Sequence, residues 1–130
     1  MKYLIDTSWV IHYLRGKKEI VGKLRSLKFD GLAISMITLA ELYEGIFRSP
    51  DPASAEKYMK DFLSGVSILE INEETCKIFG RERARLHKMG TPISDLDLLI
   101  ASTCFHHNLI LLTDNIRDFE RIENLKILRE

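Results

Sequence analysis

The stretch MKYLIDTSWVIHYL, residues 1–14, shows where a buried strand ends and a helix begins, and this boundary decides the fold class. Its apolar run YLI contains a β-branched residue, which is typical of a short buried strand. Thr7 and Ser8 can cap a helix that begins near Trp9. Asp6 stands between the strand and the helix. Because ligands of parallel α/β sheets bind beyond the carboxyl ends of the strands, Asp6 is either a helix cap or a functional carboxylate.

The rest of the chain repeats this alternation of strand and helix. Further apolar runs that predict strands lie at residues 32–35, 66–71, 109–112 and 125–128. Segments with helical periodicity lie between them, at residues 19–27, 38–48, 52–64, 73–89 and 94–106. Such alternation indicates a parallel sheet covered on both faces. We therefore predict a single α/β domain over residues 1–130, a three-layer α/β/α sandwich with a four- to five-stranded, mainly parallel sheet.

Composition limits the classes of function. The chain has 45% hydrophobic residues, enough for a core without structural disulfides, and its two cysteines form no zinc pattern. Nineteen basic residues balance 19 acidic ones, whereas a general nucleic-acid binder would be more basic. The sequence shows no secretory signal and no apolar run long enough to span a membrane. We therefore expect a cytoplasmic protein without a membrane partner.

Several acidic residues fall at strand ends or helix starts on what should be one edge of the sheet. Asp6 follows the first predicted strand, and Glu41 lies in the first turn of the helix that follows the second strand. Asp97 lies at the start of the helix that precedes the fourth strand, and Asp114 and Asp118 follow the fourth strand. Two of them have a structural alternative, because Thr38-x-x-Glu41 and Ser94-x-x-Asp97 both match a capping box.

A convergence of carboxylates would call for a cation. Mutually repelling carboxylates raise one another's pKa, and a divalent ion removes that cost. Oxygen ligands favour Mg²⁺ or Mn²⁺ over zinc. Asp97 shares its helix face with the small residues Ala101 and Cys104, so we expect Asp97 to point inward and Asp95 outward.

Four segments of the chain resemble one family over essentially its whole length. LIDTSWVI (4–11), SMITLAELYEG (35–45), PISDLDLLIAS (92–102) and LLTDNIRDF (111–119) are similar to PIN domains, and the spacing is similar to that of VapC-type toxins. The resemblance implies an Mg²⁺- or Mn²⁺-dependent endoribonuclease, the toxin of a type II toxin–antitoxin pair. It also implies an RNA substrate, a cognate antitoxin that covers the site, and a homodimer.

The resemblance also assigns roles to single residues. It implies that Asp6 and Asp97 hold the first metal ion, while Glu41 and the region of Asn115 and Asp118 complete the shell. The catalytic carboxylates would be Asp6, Glu41, Asp97 and Asp118. Asn115 is neutral where some family members carry Asp, so the fourth ligand stays open among Asp114, Asn115 and Asp118. Thr7, Thr113 and Asp114 would support these ligands.

A basic helix face offers candidate RNA contacts. Arg81, Arg85 and Lys88 fall on one side of the fifth predicted helix, where they form either a phosphate track or an ordinary solvated surface. Three rival interpretations remain: a non-catalytic RNA-binding or interaction domain, a receiver-like signalling domain, and a phosphatase with a strand-end Asp nucleophile. Such phosphatases usually have a second Asp two residues on, where this chain has Ser8.

Overall fold

The computed structural model describes residues 1–129, so the last residue of the predicted domain, Glu130, lies outside the described residues. The elements are β1 (Tyr3–Ile5), α1 (Thr7–Leu14), α2 (Lys18–Leu27), a 3-10 turn (Lys28–Asp30), β2 (Leu32–Ser35), α3 (Met36–Arg48), α4 (Pro52–Leu63), β3 (Val66–Leu69), α5 (Glu73–Met89), α6 (Asp95–His106), β4 (Ile110–Leu112), α7 (Ile116–Phe119) and β5 (Lys126–Ile127). Within residues 1–129, no helix combines the length and hydropathy needed to cross a bilayer.

The five strands form one sheet in the order β3-β2-β1-β4-β5, and every neighbouring pair is parallel. From β1 the chain builds outward through β2 to β3, and then returns to add β4 and β5 on the other side of β1. The order therefore reverses between β1 and β4. In open parallel sheets, the crevice at such a reversal is where ligands bind.

Two hydrophobic clusters cover the two faces of the sheet, as expected when strand side chains alternate between faces. Ile5, Ile34 and Leu112 pack in the cluster that contains buried residues of α1, α2, α3 and α4. Leu4 and Leu111 pack in the other cluster, with buried residues of α5, α6 and α7. The prediction of a three-layer α/β/α sandwich with a parallel sheet is confirmed.

Two helices begin earlier than predicted. Helix α1 begins at Thr7 rather than near Trp9, because Asp6 itself is the N-cap and its Oδ1 accepts a hydrogen bond from the Thr7 backbone N–H at 2.8 Å. Helix α3 begins at Met36, because Ser35 Oγ accepts from the Thr38 backbone N–H at 3.1 Å. In both cases the cap follows or ends a strand directly, so no loop separates strand from helix.

The early start of α3 overturns one prediction about Glu41 and removes its structural alternative. The capping box at Thr38 and Glu41 is wrong, because Ser35 caps the helix. Glu41 is the sixth residue of α3 and so lies in its second turn rather than its first. Its carboxylate is therefore free of any capping role and can face a neighbouring element.

Gly31 connects the 3-10 turn to β2 in a conformation that side chains rarely adopt, with φ at +92°. Its carbonyl accepts from the backbone N–H groups of Lys2 and Tyr3, which aligns the start of β1 with the start of β2. A Cβ on this residue would lie 2.7 Å from the Cα of Met1. The close approach of the two segments therefore requires a glycine.

We expect Gly31→Ala to lower the free energy of unfolding by about 1–3 kcal/mol, because it adds both backbone strain and a clash. The matched control is Gly80→Ala, in the exposed middle of α5, where a Cβ meets nothing within 4 Å. That change should stabilise the chain by roughly 0.5–1 kcal/mol. Urea unfolding followed by circular dichroism measures both values, and equal effects at the two positions would contradict the interpretation.

Candidate active site

A buried junction between β1 and β4 forms the centre of the candidate site. The Asp6 backbone N–H donates to the carbonyl of Leu112 at 2.9 Å, which extends the pairing of the two strands to their carboxyl ends. Thr113, the residue after β4, donates its hydroxyl to Asp6 Oδ2 at 2.6 Å. The same hydroxyl accepts from the Asn115 backbone N–H at 2.9 Å. Thr113 thus links Asp6 to the loop that follows β4.

Asp6 is a buried residue, only 5% exposed. Burial raises its pKa, the hydrogen bonds from the Thr113 hydroxyl and the Thr7 backbone counter part of that rise, and the nearby carboxylate of Asp97 raises the pKa further. A carboxyl group that is both desolvated and close to a second carboxylate is an unfavourable place for a negative charge. It is also a group whose charge a cation would stabilise.

Asp97 faces the same cleft from the first turn of α6. Ser94 Oγ caps the helix by accepting from the Asp97 backbone N–H at 3.2 Å. Burial raises the pKa of the Asp97 carboxyl, a hydrogen bond from Ser94 lowers it, and the charge of Asp118 raises it again. Asp95 is exposed and pairs with Arg83 at 2.8 Å. The predicted orientations, Asp97 inward and Asp95 outward, are confirmed.

Asn115 and Asp118 complete the same side of the cleft. The Asn115 Nδ2 group lies 3.5 Å from Asp97 Oδ2 and 3.1 Å from Asp118 Oδ2, so one amide is shared by two carboxylates. Asp118 Oδ1 lies 3.4 Å from Nη1 of Arg121, which also donates to the carbonyl of Pro92 at 3.0 Å. Asp118 therefore already has a positively charged partner.

Glu41 reaches the site through Thr7. The Thr7 hydroxyl donates to Glu41 Oε1 at 2.7 Å and lies 3.0 Å from the hydroxyl of the fully buried Thr38. Thr7 thus contacts Asp6 with its backbone and Glu41 with its side chain. Sequence reasoning assigned Thr38 to a cap and missed this contact, because no local signal joins residues 31 positions apart.

The carboxylates share one region, but they do not close around a single point. Within residues 1–129, no three His, Cys, Asp or Glu side chains lie in an arrangement that could hold one metal ion. Each carboxylate instead accepts a hydrogen bond from a nearby side chain: Asp6 from Thr113, Glu41 from Thr7, and Asp97 and Asp118 from the shared amide of Asn115. Such donors reduce the repulsion between like charges.

The other predicted residues lie outside this cleft. Asp114 binds α1, where its carboxylate accepts from Trp9 Nε1 at 3.0 Å and pairs with His12 Nε2 at 2.9 Å. On α5, Arg81 and Lys88 are exposed. Arg85 is half-buried: it pairs with Glu82 at 2.8 Å and donates to the carbonyl of Arg121 at 2.8 Å. The guanidinium of Arg85 therefore has a structural role that the sequence did not indicate.

Comparison with known proteins identifies relatives that span the whole chain. Residues 3–125 match the family model described as PIN domain. The chain is 33% identical over 128 residues to a Haemophilus influenzae protein named ribonuclease VapC1, with 97% of this chain and 96% of that protein covered. It is 31% identical over 127 residues to a Salmonella typhimurium protein named tRNA(fMet)-specific endonuclease VapC, with 98% and 96% covered.

A solved structure shares the fold over the same length. The structure of VapBC2 from Rickettsia felis, bound to a DNA fragment from its promoter, contains a chain that matches with a TM-score of 0.92. The two chains are 31% identical, and the match covers 98% of each. The strand order and helix layers described above are therefore those of a known architecture.

We expect Asp97→Asn to raise the melting temperature of the metal-free chain at neutral pH by a few degrees. The pKa of Asp97 is higher in the folded chain than its ordinary value, so the native state loses stability as pH rises through that pKa. The gain in melting temperature from the neutral amide should therefore be present near pH 7 and disappear well below pH ~4, the ordinary pKa of Asp, where the carboxyl is protonated in both the folded and the unfolded chain.

Differential scanning calorimetry in EDTA measures this effect, and Asp95→Asn is the control from the same helical turn. Asp95 is exposed and paired with Arg83, so its replacement should leave the melting temperature unchanged or slightly lower. A loss of many degrees in Asp97→Asn at pH 7 would instead indicate that the carboxylate serves mainly to stabilise the start of α6.

Proposed function

The chain belongs to the PIN-domain family, in its VapC branch, and from this we propose that it is a metal-dependent endoribonuclease, the toxin of a type II toxin–antitoxin pair. The observation that supports the proposal most directly is that the loop after β4, at the reversal of the strand order, contacts both Asp6 through Thr113 and Asp97 through Asn115. Asp6 is buried and Asp97 is half-buried. Relatives named as ribonucleases cover almost the whole chain, which supports RNA as the substrate class.

The residues of the cleft fit Mg²⁺ or Mn²⁺. All candidate ligands are carboxylate or amide oxygens, which these hard cations prefer. Mg²⁺ commonly binds through one or two carboxylates and keeps several waters, so a cage of three acidic side chains is not required. In our proposal Asp6 and Asp97 hold the ion. Asn115 and Asp118 lie beside Asp97 and would complete the shell on that side.

Each side chain then has a task in phosphodiester hydrolysis. When bound, a divalent ion acidifies water and offsets the charge that develops on the phosphate. Thr113 and the Thr7 backbone fix the orientation of Asp6. Glu41 Oε1 is held by the Thr7 hydroxyl, which leaves Oε2 to accept a proton from the attacking water. Asn115 orients Asp97 and Asp118 through its amide.

An apolar groove next to Glu41 is where we propose that the antitoxin binds. The groove has a volume of about 360 Å³ and lies between α1, α3 and α4, with Ile11, Leu14, Leu42 and Ile46 among its lining residues. Glu41 forms part of its wall. An apolar helix with a basic side chain would fill the groove and neutralise Glu41. The homodimer implied by the family resemblance stays a prediction.

A non-catalytic RNA-binding domain is the second candidate. Two observations favour it. The described part of the chain contains no preformed metal site of three acidic side chains, and Asp118 pairs with Arg121. The phosphatase alternative has less support, because both Asp6 oxygens accept hydrogen bonds and the side chain is almost fully buried. A nucleophile needs an oxygen exposed to its substrate.

We expect Mn²⁺-dependent cleavage of RNA by the purified chain, and a loss of at least about a hundredfold in rate for Asp6→Asn and for Asp97→Asn. Asp95→Asn is the matched control and should cleave at the unsubstituted rate. A fluorescently labelled RNA, incubated with Mn²⁺, Mg²⁺ or EDTA, measures the rates, and circular dichroism confirms folding. Full activity in both cleft variants would refute the nuclease assignment.

The helix face of Arg81 and Lys88 leads to a separate expectation about RNA affinity. If each residue contacts one phosphate, Arg81→Ala and Lys88→Ala should each reduce the slope of log K against log salt concentration by about 0.7. Fluorescence anisotropy in the Asp97→Asn background measures binding without cleavage. Arg129→Ala, which removes an exposed ion pair with Glu120, is the control. Unchanged slopes would make this face an ordinary solvated surface.

A further inference from the structure

A second cluster of side chains joins α1 to the loop after β4, outside the acidic cleft. Both oxygens of the Asp114 carboxylate are used: Oδ1 accepts from the Trp9 indole N–H at 3.0 Å, and Oδ2 lies 2.9 Å from His12 Nε2. An ionised carboxylate can only accept, so the Nε2 atom of His12 carries the proton in this contact. Trp9 and His12 are three residues apart on α1 and so lie on one side of it.

Asp114 stands between two residues of the cleft. On one side of it, Thr113 donates to Asp6, and on the other, the Asn115 amide contacts Asp97 and Asp118. Displacement of Asp114 would therefore move both the donor that orients Asp6 and the amide that orients Asp97.

Other hydrogen bonds hold this loop to the cleft, through Thr113 to Asp6 and through the Asn115 amide to Asp97 and Asp118, whereas Asp114 binds side chains of α1. Helix α7, which follows it, has only four residues, and its N-cap Asn115 makes no side-chain capping bond. The Asn115 amide is directed to the cleft carboxylates instead, while its backbone N–H is taken by the Thr113 hydroxyl. Asp114 therefore adds a separate attachment of the loop, to Trp9 and His12 of α1.

We propose that Trp9 and His12 are positioning residues for the acidic cleft, and that they act through Asp114 to hold residues 113–115 against α1. They do not touch the substrate in this proposal. Trp9 as a residue is only 9% exposed, so its ring is held in the core and its indole N–H presents a fixed donor to Asp114. The consequence for metal binding rests on the proposed function, whereas the anchoring of the loop does not.

Hydrogen exchange of the metal-free chain tests the anchoring. We expect Asp114→Ala to increase the exchange rate of the Asn115 amide about tenfold. Trp9→Phe keeps an aromatic ring and removes only one donor, so its effect should be smaller and in the same direction. The control is Glu120→Ala, which removes an exposed ion pair with Arg129 next to α7 and should leave this amide unchanged.

Two further measurements separate positioning from a merely structural role. Trp9 is the only tryptophan of the chain, so its single indole N–H resonance should shift in Asp114→Ala but not in Glu120→Ala. Titration with Mn²⁺ alone, followed by calorimetry, should show dissociation constants roughly tenfold weaker in Asp114→Ala than in the unsubstituted chain. Asp114→Asn keeps an acceptor for the indole and should recover part of both effects.

The outcomes distinguish this inference from the proposed function. An Asp114→Ala chain that exchanges Asn115 and binds Mn²⁺ as the unsubstituted chain does would overturn the inference, while the nuclease assignment would stand. Faster exchange with unchanged Mn²⁺ affinity would also overturn the positioning role. An unsubstituted chain that binds no Mn²⁺ would refute the proposed metal site, and the positioning role would fall with it.

Discussion

An acidic side chain buried at the end of the central strand is the constraint on which the rest of the structure depends. The Asp6 carboxylate lies where β1, β4 and α1 meet, and donors from α1 and from the residue after β4 stabilise it. The first backbone N–H of α1 serves one oxygen, and the Thr113 hydroxyl serves the other. Each of these two hydrogen bonds therefore has a second function. The bond from the Thr7 N–H begins helix α1, and the bond from Thr113 joins the end of β4 to the site.

The fold could be predicted because hydrophobic periodicity is a local signal. Short apolar runs between amphipathic segments were sufficient to indicate a parallel sheet with helices on both faces, and the strand ends identified Asp6. Helix starts were less predictable, because Asp6 and Ser35 each combine the end of a strand with a helix cap. A preference for Thr or Ser at the cap does not reveal which of several adjacent candidates adopts the extended backbone.

The contacts within the site could not be predicted, because they join residues far apart in the chain. The partner of Asp114 lies 105 residues away at Trp9, and the partner of Glu41 lies 34 residues away at Thr7. Composition and spacing carry no information about such pairs. Asp97 was an easier case, since the small residues on its own helix face indicated its direction.

The strand order has a consequence for synthesis of the chain. The bond between Thr113 and Asp6 spans 107 residues, so the cleft cannot form until residue 113 has left the ribosome. A nascent chain that ends after α6 already contains three of the candidate acidic residues, but it lacks the strand that completes their surroundings. Any activity that depends on the cleft is therefore withheld from a nascent chain that does not yet contain β4.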